Sequence, residues 1–522
     1  MTMILAFTII CSEVNLVDKT FPHLDALSNR LHLPPSLEAL LFETNPWWQG
    51  KPARPQPPFR RWLFHALLER LKSGLAPITV LRGPRQVGKT TLQMQLIQHL
   101  LDVEAVSPKR ILRVQFDEIP SLKGVREPVL TMCRWFQHKI LNKSFNESAR
   151  DGEIAYVFFD EVQNIEDWAP QLKSLVDHHD VRVLVTGSSA LRIEQGRDSL
   201  AGRITTLELG VLTLREIAGI RGFGDISRLL RSSGLGELTR KDFWAELIQL
   251  GKKVAELRDK AFEAFSERGA YPIAQAMADL PWEMIADQLN ETIVRRVIRH
   301  DLRVGERGRK RDETLLEEVF KLCCRYAGQT PGAPVFVQQL SQALHANVGW
   351  QRVLAYLRFL SDTLLIRMVP PLEIRLKKKK GNAKICLCDH GLRASWLQEI
   401  VPIAPSALER SPHLHDMAGH IVESIVGYYL GSIPGLNLAW FPERSIEPEV
   451  DFVLTVGEYR IPIEVKYRRH IDPHRDTLGL RAFLEKVVYN APFGLLITLT
   501  DDIKIEDPRI IPLPLPTLLL VL

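Results

Sequence analysis

The sequence predicts an α/β protein in several units: a parallel sheet first, then a helical stretch, then a second, separate α/β unit. Three observations carry this. Strand-like apolar runs recur at 78–82, 110–116, 154–159, 181–186 and 204–209 with helical periodicity between them, the alternation that βαβ units make around a parallel sheet. Residues 210–330 lose the strands and become helical and charged. From 413 onward a fresh α/β pattern begins.

Composition narrows the class. A chain of 522 residues has room for three or four cores, and 45% apolar with 25% charged residues is ordinary for globular domains, which excludes wholesale disorder. The net charge of +5, from 67 basic and 62 acidic residues, is too mild to establish a nucleic-acid partner, so the distribution of charge must decide. Six cysteines argue against a disulfide scaffold. Cys323 with Cys324 and Cys386 with Cys388 are the close pairs; neither has zinc spacing, and buried free thiols are expected. The apolar run 3–11 is too short to span a bilayer and lacks a basic flank and a cleavage site. A cytoplasmic enzyme without a membrane partner is the expectation.

In chain order, the leading segment ends in NPWW at 45–48 and a proline-rich connector at 51–58. An amphipathic helix is predicted over 60–74, a short buried strand at 78–82 running into a glycine turn, and a helix over 90–101. That turn reads Gly83, Pro84, Arg85, Gln86, Val87, Gly88, Lys89, Thr90, with Thr91 following, and it matches the phosphate-binding pattern G-x-x-x-x-G-K-[ST] at every fixed position. The glycines let backbone N–H groups close around phosphates at a helix N-terminus. Lys89 would reach the β- and γ-phosphates of ATP, and the Thr90 hydroxyl would ligate Mg²⁺.

The apolar strand YVFFDE ends in Asp160 and Glu161, placing Asp160 beside Mg²⁺ and Glu161 where it can polarise the attacking water. Residues 163–165 and Trp168 suggest a partner-facing loop. The next strand, VLVTGSSA, resembles the sensor strand of AAA+ ATPases, with Ser188 or Thr186 facing the γ-phosphate; Ser189 reads equally well as a helix N-cap. Arg203, with Arg197 as second choice, occupies the place of an arginine finger that faces a neighbouring subunit's nucleotide; either could instead be an ordinary surface arginine.

Basic residues crowd the region 295–311, including Arg307, Arg309 and Lys310. Helices near 335–344 and 350–360, strands at 364–369 and 372–376, a turn at Lys377, Lys378, Lys379 and Lys380, and a returning strand at 384–388 together make a winged helix with a basic wing for DNA phosphates. A lysine run is also what a solvated loop looks like.

Near the C-terminus, 450–456 and 459–466 alternate around Gly457 and Glu458, a pair suited to a type II′ hairpin turn. That turn pairs Val456 with Tyr459 and, further along, Asp451 directly with Glu464, with one face apolar and the acids clustered on the other. Pro462 argues for a bulge or an unpaired edge. Opposed acids repel unless a cation lies between them. Asp451, Glu464 and Lys466 therefore read as D…(D/E)-x-K, with Mg²⁺, or Mn²⁺ in its place, on the acids and the lysine positioning water; Glu423 on a helix over 420–430 would add a carboxylate. The alternative is that Lys466 merely neutralises the acids.

With these motifs in hand, the chain resembles the bacterial and archaeal AAA-type ATPases that carry a restriction-endonuclease-like C-terminal domain. The resemblance rests on NPWW, GPRQVGKTT, YVFFDE, VLVTGSSA, the SLAGR segment at 199–203, ERGAYP at 267–272, KICLCDHGL at 384–392 and EVDFVL…IEVK, over roughly residues 45–470. It implies an N-terminal segment and linker (1–58), an AAA+ core (59–212), a helical lid with insertion (213–312), a winged helix (313–400) and a PD-(D/E)xK-like domain (413–522). Residues 221–266 read as an insertion, and the family's glycine pair before Tyr-Pro is here Gly269 and Ala270. Two functions follow: an ATP-driven, DNA-acting nuclease assembled as a homo-oligomeric ring such as a hexamer, or a regulatory ATPase switch whose nuclease-like fold only binds.

Overall fold

The computed structural model describes residues 33–117, 119, 125–187, 200–230, 234–298, 312–373, 381–443 and 447–522. Its first sheet holds β1 (Ile78–Arg82), β2 (Ile111–Gln115), β3 (Ala155–Asp160), β4 (Val181–Gly187) and β5 (Ile204–Glu208), all parallel, in spatial order β2-β3-β4-β1-β5. Both faces are covered, which is why these strands read as nearly unbroken apolar runs. Leu81, Phe158, Leu184 and Leu207 share a core with the helices Phe64–Ser73 and Lys89–Asp102. Val80, Val114, Val157 and Val185 pack on the other side with Met132, Phe136 and Leu172, from the helices Pro128–Phe136 and Trp168–His178.

The strand order decides where chemistry can sit. Because β4 lies between β1 and β3, its C-terminal tip stands between the glycine turn after β1 and the acids that end β3. In register, Thr186 of β4 lies opposite both Leu81 and Asp160.

The NPWW motif closes the open edge of this sheet. The Asn45 side chain accepts from the N–H of Arg113 (2.7 Å) and donates to its carbonyl (2.8 Å), as a neighbouring strand would. The indoles of Trp47 and Trp48 both donate to the Ile111 carbonyl, at 3.2 and 2.8 Å. An unpaired edge invites wrong pairing, and these side chains satisfy it at two positions. Leu33, Leu37 and Leu41, the last two from the helix Pro35–Thr44, join the sheet's core, so residues 33–49 build onto the ATPase-like unit rather than merely leading to it.

The middle of the chain is helical, as expected, with helices Lys241–Lys253, Ala255–Arg268, Trp282–Leu289, Glu313–Arg325, Ala333–Leu344 and Trp350–Asp362. An antiparallel pair follows, β6 (Ile366–Val369) and β7 (Lys384–Leu387). The second wing strand expected over 372–376 lies outside the described residues from 374 onward, and its start pairs with the C-terminal sheet. Pro371 bridges to Trp440, Leu372 N–H donates to the Trp440 carbonyl (2.7 Å), and Trp440 N–H donates to Pro370 (3.0 Å). The hairpin is thereby stitched to the C-terminal sheet.

Gly269 and Asp389 explain two further motifs. Gly269 has φ +74°, and a Cβ there would fall 2.3 Å from Asp389 Oδ1. Asp389 accepts from the N–H groups of Ala270 (2.5 Å) and Leu392 (2.8 Å), so ERGAYP and KICLCDHGL lock onto one buried carboxylate. Only the first position of the glycine pair needs glycine, and Ala270 fits the second.

The second sheet has order β12-β11-β10-β9-β8, from β8 (Asn437–Phe441), β9 (Val450–Val456), β10 (Tyr459–Lys466), β11 (Gly494–Thr498) and β12 (Ile510–Pro514). β8, β9 and β10 are antiparallel; β11 and β12 join parallel to β10. Gly457, at φ +60°, makes the expected turn, and Val456 pairs with Tyr459. β10 runs unbroken through Pro462, which sits opposite Val453 while the pairing with β11 begins only at Ile463. Both faces are buried, not one: Phe452, Leu454 and Ile463 share a core with Val422 and Val426 of the helix His415–Gly431, and Val453 and Leu496 with Leu480 and Phe483 of the helix Leu478–Leu484.

Candidate functional site

At the tip of β1 the turn is shaped for close approach. A Cβ on Gly83 would lie 2.2 Å from the Leu209 carbonyl, and Gly88 has φ +94°, a conformation L side chains rarely adopt. Gln86 also lies at positive φ, and Pro84, Arg85 and Val87 complete the turn into the helix that carries Lys89, Thr90 and Thr91. Lys89 is buried, and its ammonium donates to the carbonyls of Gly83 (2.9 Å) and Pro84 (2.8 Å), folded back over the cradle that phosphates would fill.

The acids meet the turn directly. Thr90 Oγ1 donates to Asp160 Oδ2 at 2.8 Å, and the Thr186 hydroxyl donates to Asp160 Oδ1. Arg113 Nη2 lies 3.7 Å from the same carboxylate, which is 2% exposed. A buried carboxylate is stable only when so satisfied. Glu161 follows at φ +52°, its N–H donating to the Thr186 carbonyl (3.0 Å). Strained backbone of this kind gathers at working sites. The donor set of Thr90 and Asp160, hydroxyl plus carboxylate oxygen, suits Mg²⁺.

Several supporting residues were not legible from the motifs. Gln163 donates to the Glu161 carboxylate. In the loop read as partner-facing, Gln163, Ile165 and Trp168 are buried while Asn164, Glu166 and Asp167 are exposed. Arg61, in the chain before the helix Phe64–Ser73, holds the turn from behind. Its guanidinium donates to the Val87 carbonyl (2.5 Å), to Gly210 and Val211 (3.0 Å each), and to Glu216 Oε1 (2.7 Å). Glu216 in turn caps the helix Leu214–Ile220 in a capping box with Thr213. The polar spacing at 213–216 could have signalled the cap, but nothing in sequence announces Arg61.

Arg203 sits at the start of β5, where its carbonyl accepts from Ile78 N–H, at the sheet end opposite the phosphate turn. Its guanidinium grips Asp177 at 2.5 and 3.0 Å. It cannot serve its own chain's site from there. Ser188 and Arg197 lie outside the described residues, as do Arg307, Arg309, Lys310 and Lys377, Lys378, Lys379 and Lys380.

The C-terminal acids do come together, with a difference. The paired register runs to Ile463 opposite Phe452, the pair just before the acids, and Asp451 Oδ2 accepts the N–H of Val465 (2.9 Å). Lys466 Nζ contacts Glu464 Oε1 at 2.6 Å. Between the carboxylates lies Lys384, the first residue of β7, whose ammonium is 3.0 Å from Asp451, 3.2 Å from Glu423 and 3.7 Å from Glu449. No group of three carboxylate, histidine or cysteine residues arranged to hold a metal ion occurs among the described residues. An ammonium sits against Asp451 and Glu423 where a shared cation was expected to use them, so the donors as arranged do not fit a metal.

Charge follows the geometry. Burial, then the Asp451 charge, pushes Glu423 and Glu464 up to about 8. Burial also opposes the charge on Asp451, but Lys384, Lys466 and the Val465 N–H outweigh it and hold its carboxyl below the usual range. Burial pushes the Cys133 and Cys386 thiols up to about 12, and those of Cys323, Cys324 and Cys388 higher still, as inert core residues.

Comparison with known proteins agrees with the first site. A family described as an AAA domain matches residues 76–218, and a domain of unknown function matches 259–400. Two relatives, the uncharacterized protein Rv2008c of Mycobacterium tuberculosis (strain ATCC 25618 / H37Rv) and the uncharacterized protein Mb2031c of Mycobacterium bovis (strain ATCC BAA-935 / AF2122/97), are each 25% identical over 407 residues, 76% of this chain and 72% of theirs. Among solved structures, the Walker-type ATPase PABY2304 of Pyrococcus abyssi is 14% identical with a TM-score of 0.38, over 66% of this chain and 98% of its own. C. elegans PCH-2 is 16% identical with a TM-score of 0.22, over 31% and 44%. The parallel sheet, the phosphate turn with its acids and the AAA match define the class: residues 76–218 are an AAA-type P-loop ATPase domain. No helix among the described residues is long and apolar enough to cross a membrane.

Proposed function

We propose that this chain hydrolyses MgATP at the turn 83–90 and uses that cycle on DNA, gating a nuclease-like C-terminal unit. The observation that carries the ATPase reading is the chain of contacts from Thr90 through Asp160 to Thr186, which joins the phosphate turn, the acid strand and the strand between them. Lys89 leaves the Gly83 and Pro84 carbonyls to contact phosphate. Thr90 and Asp160 hold Mg²⁺, which supplies charge neutralisation for the leaving phosphate. Glu161, steadied by Gln163, orients and polarises water, and Thr186, with Ser188, senses the γ-phosphate. Arg203 exchanges Asp177 for a neighbour's nucleotide in a ring.

The order of three helices and a hairpin over 313–387 supports a winged helix, and the basic residues at 307–310 and 377–380 supply its phosphate contacts. The mixed sheet flanked by helices, with Asp451, Glu464 and Lys466 at one end of a hairpin, supports a restriction-endonuclease-like unit. Lys384 favours a second reading as well: if its ammonium never leaves, the unit only binds and the chain is a nucleotide switch. Steady-state ATP turnover and cleavage of long DNA with Mg²⁺ or Mn²⁺, by wild type and by Asp451→Asn, separate these. Turnover with cleavage lost in the variant supports gating. Turnover with equal cleavage, or none, leaves the switch.

A further inference from the structure

Lys384 belongs to the central hairpin, not to the unit whose acids it meets. Its side chain is 2% exposed, and a buried ammonium is unfavourable unless partners surround it. Here Asp451, Glu423 and Glu449 surround it, and its Nζ also lies 4.9 Å above the Phe452 ring. Lys466 already serves Glu464, so Lys384 is not needed as the lysine of the D…(D/E)-x-K pattern. Meanwhile Glu464 Oε2 is buried with no hydrogen-bond partner among the described residues, an oxygen that a cation would satisfy.

The hairpin is also tied at the nucleotide end. Arg367, two pairs along β6–β7 from Lys384, meets Glu208 at the tip of β5, and Glu208 is 3.1 Å from Arg82 at the tip of β1. One small sheet thus touches both the strand that enters the phosphate turn and the carboxylate cluster.

We propose that Lys384 is the resident cation of the acid cluster built on Asp451 and Glu423, closing it to divalent metal. This rests on the nuclease-like reading of that cluster. The test counts Mn²⁺ bound to nucleotide-free full-length protein by electron paramagnetic resonance. Wild type and Asp451→Asn should bind equally, Lys384→Met should bind one more ion per chain, and Lys384→Met with Asp451→Asn should lose it. If wild type already holds an ion that Asp451→Asn loses, the lysine gate fails while the metal-site reading survives. If Lys384→Met gains none, both fail. Should Lys384→Met be poorly folded, Mn²⁺ should raise its melting temperature and leave that of wild type unchanged, because the ion replaces the missing ammonium. A Lys384→Met chain that Mn²⁺ does not rescue overturns the proposal.

Discussion

At the scale of single residues, the nucleotide site divides its labour between charge and hydrogen bonding. Lys89→Ala removes the charge that contacts phosphate, so ATP affinity should fall; Glu161→Gln removes only water activation, so ATP should stay bound without turnover. Isothermal titration of both variants decides between these roles. Loss of binding in a folded Glu161→Gln would refute the assignment. Thr186→Val deletes a donor to the buried Asp160 carboxylate, and such bonds are worth about 1.5–3 kcal/mol. Turnover should drop about ten- to hundredfold if that loss falls on the transition state. The lysine and the acid pair were legible in sequence because glycine spacing and a strand ending in acids are local patterns. Lys384 was not, because its importance comes from residues 39 and 67 positions away in the chain.

At the scale of elements, the strands of the first sheet were legible to within a residue or two, since both its faces are apolar and each strand is bounded by turns. What joins the elements was not. Arg61 and Glu216, 155 positions apart, form a buried ion pair behind the phosphate turn, with side chains 7% and 4% exposed. Removing one partner of such a pair leaves the other charge buried, typically at a cost of about 3–5 kcal/mol. Glu216→Ala should therefore lower the unfolding free energy measured in urea by that amount and loosen ATP binding together with it. Asn45→Ala should cost about 2–3 kcal/mol, because the Arg113 N–H and carbonyl on the sheet edge lose their partner. A stability within about 0.5 kcal/mol of wild type would show that NPWW does not seal that edge. In the C-terminal hairpin the turn chemistry placed Val456 opposite Tyr459 and the pairing follows that register to Phe452 opposite Ile463, but the Asp451 side-chain bond to Val465 N–H was not legible from it.

At the scale of the whole molecule, the three regions are joined by side chains that bridge them. Arg258 of the central helices reaches Asp501 (2.9 Å) and Thr517 (2.8 Å) of the C-terminal unit, and Arg367 of β6 meets Glu208 at the tip of β5. Assembly adds a further level: with Arg203 at the far end of its own sheet, any finger role must act in trans. Mixing inactive Arg203→Ala with inactive Lys89→Ala chains should restore part of the ATPase activity, because some interfaces then hold an intact finger against an intact turn. No recovery at any mixing ratio, or full activity in Arg203→Ala alone, places the finger elsewhere. The central claim is that this chain hydrolyses ATP through the turn 83–90 and the acids 160–161. Its most direct test is steady-state phosphate release by wild type, Lys89→Ala and Glu161→Gln under identical conditions with Mg²⁺. The account predicts measurable turnover in wild type and a loss of at least about a hundredfold in each variant; phosphate release by either variant at the wild-type rate would contradict it.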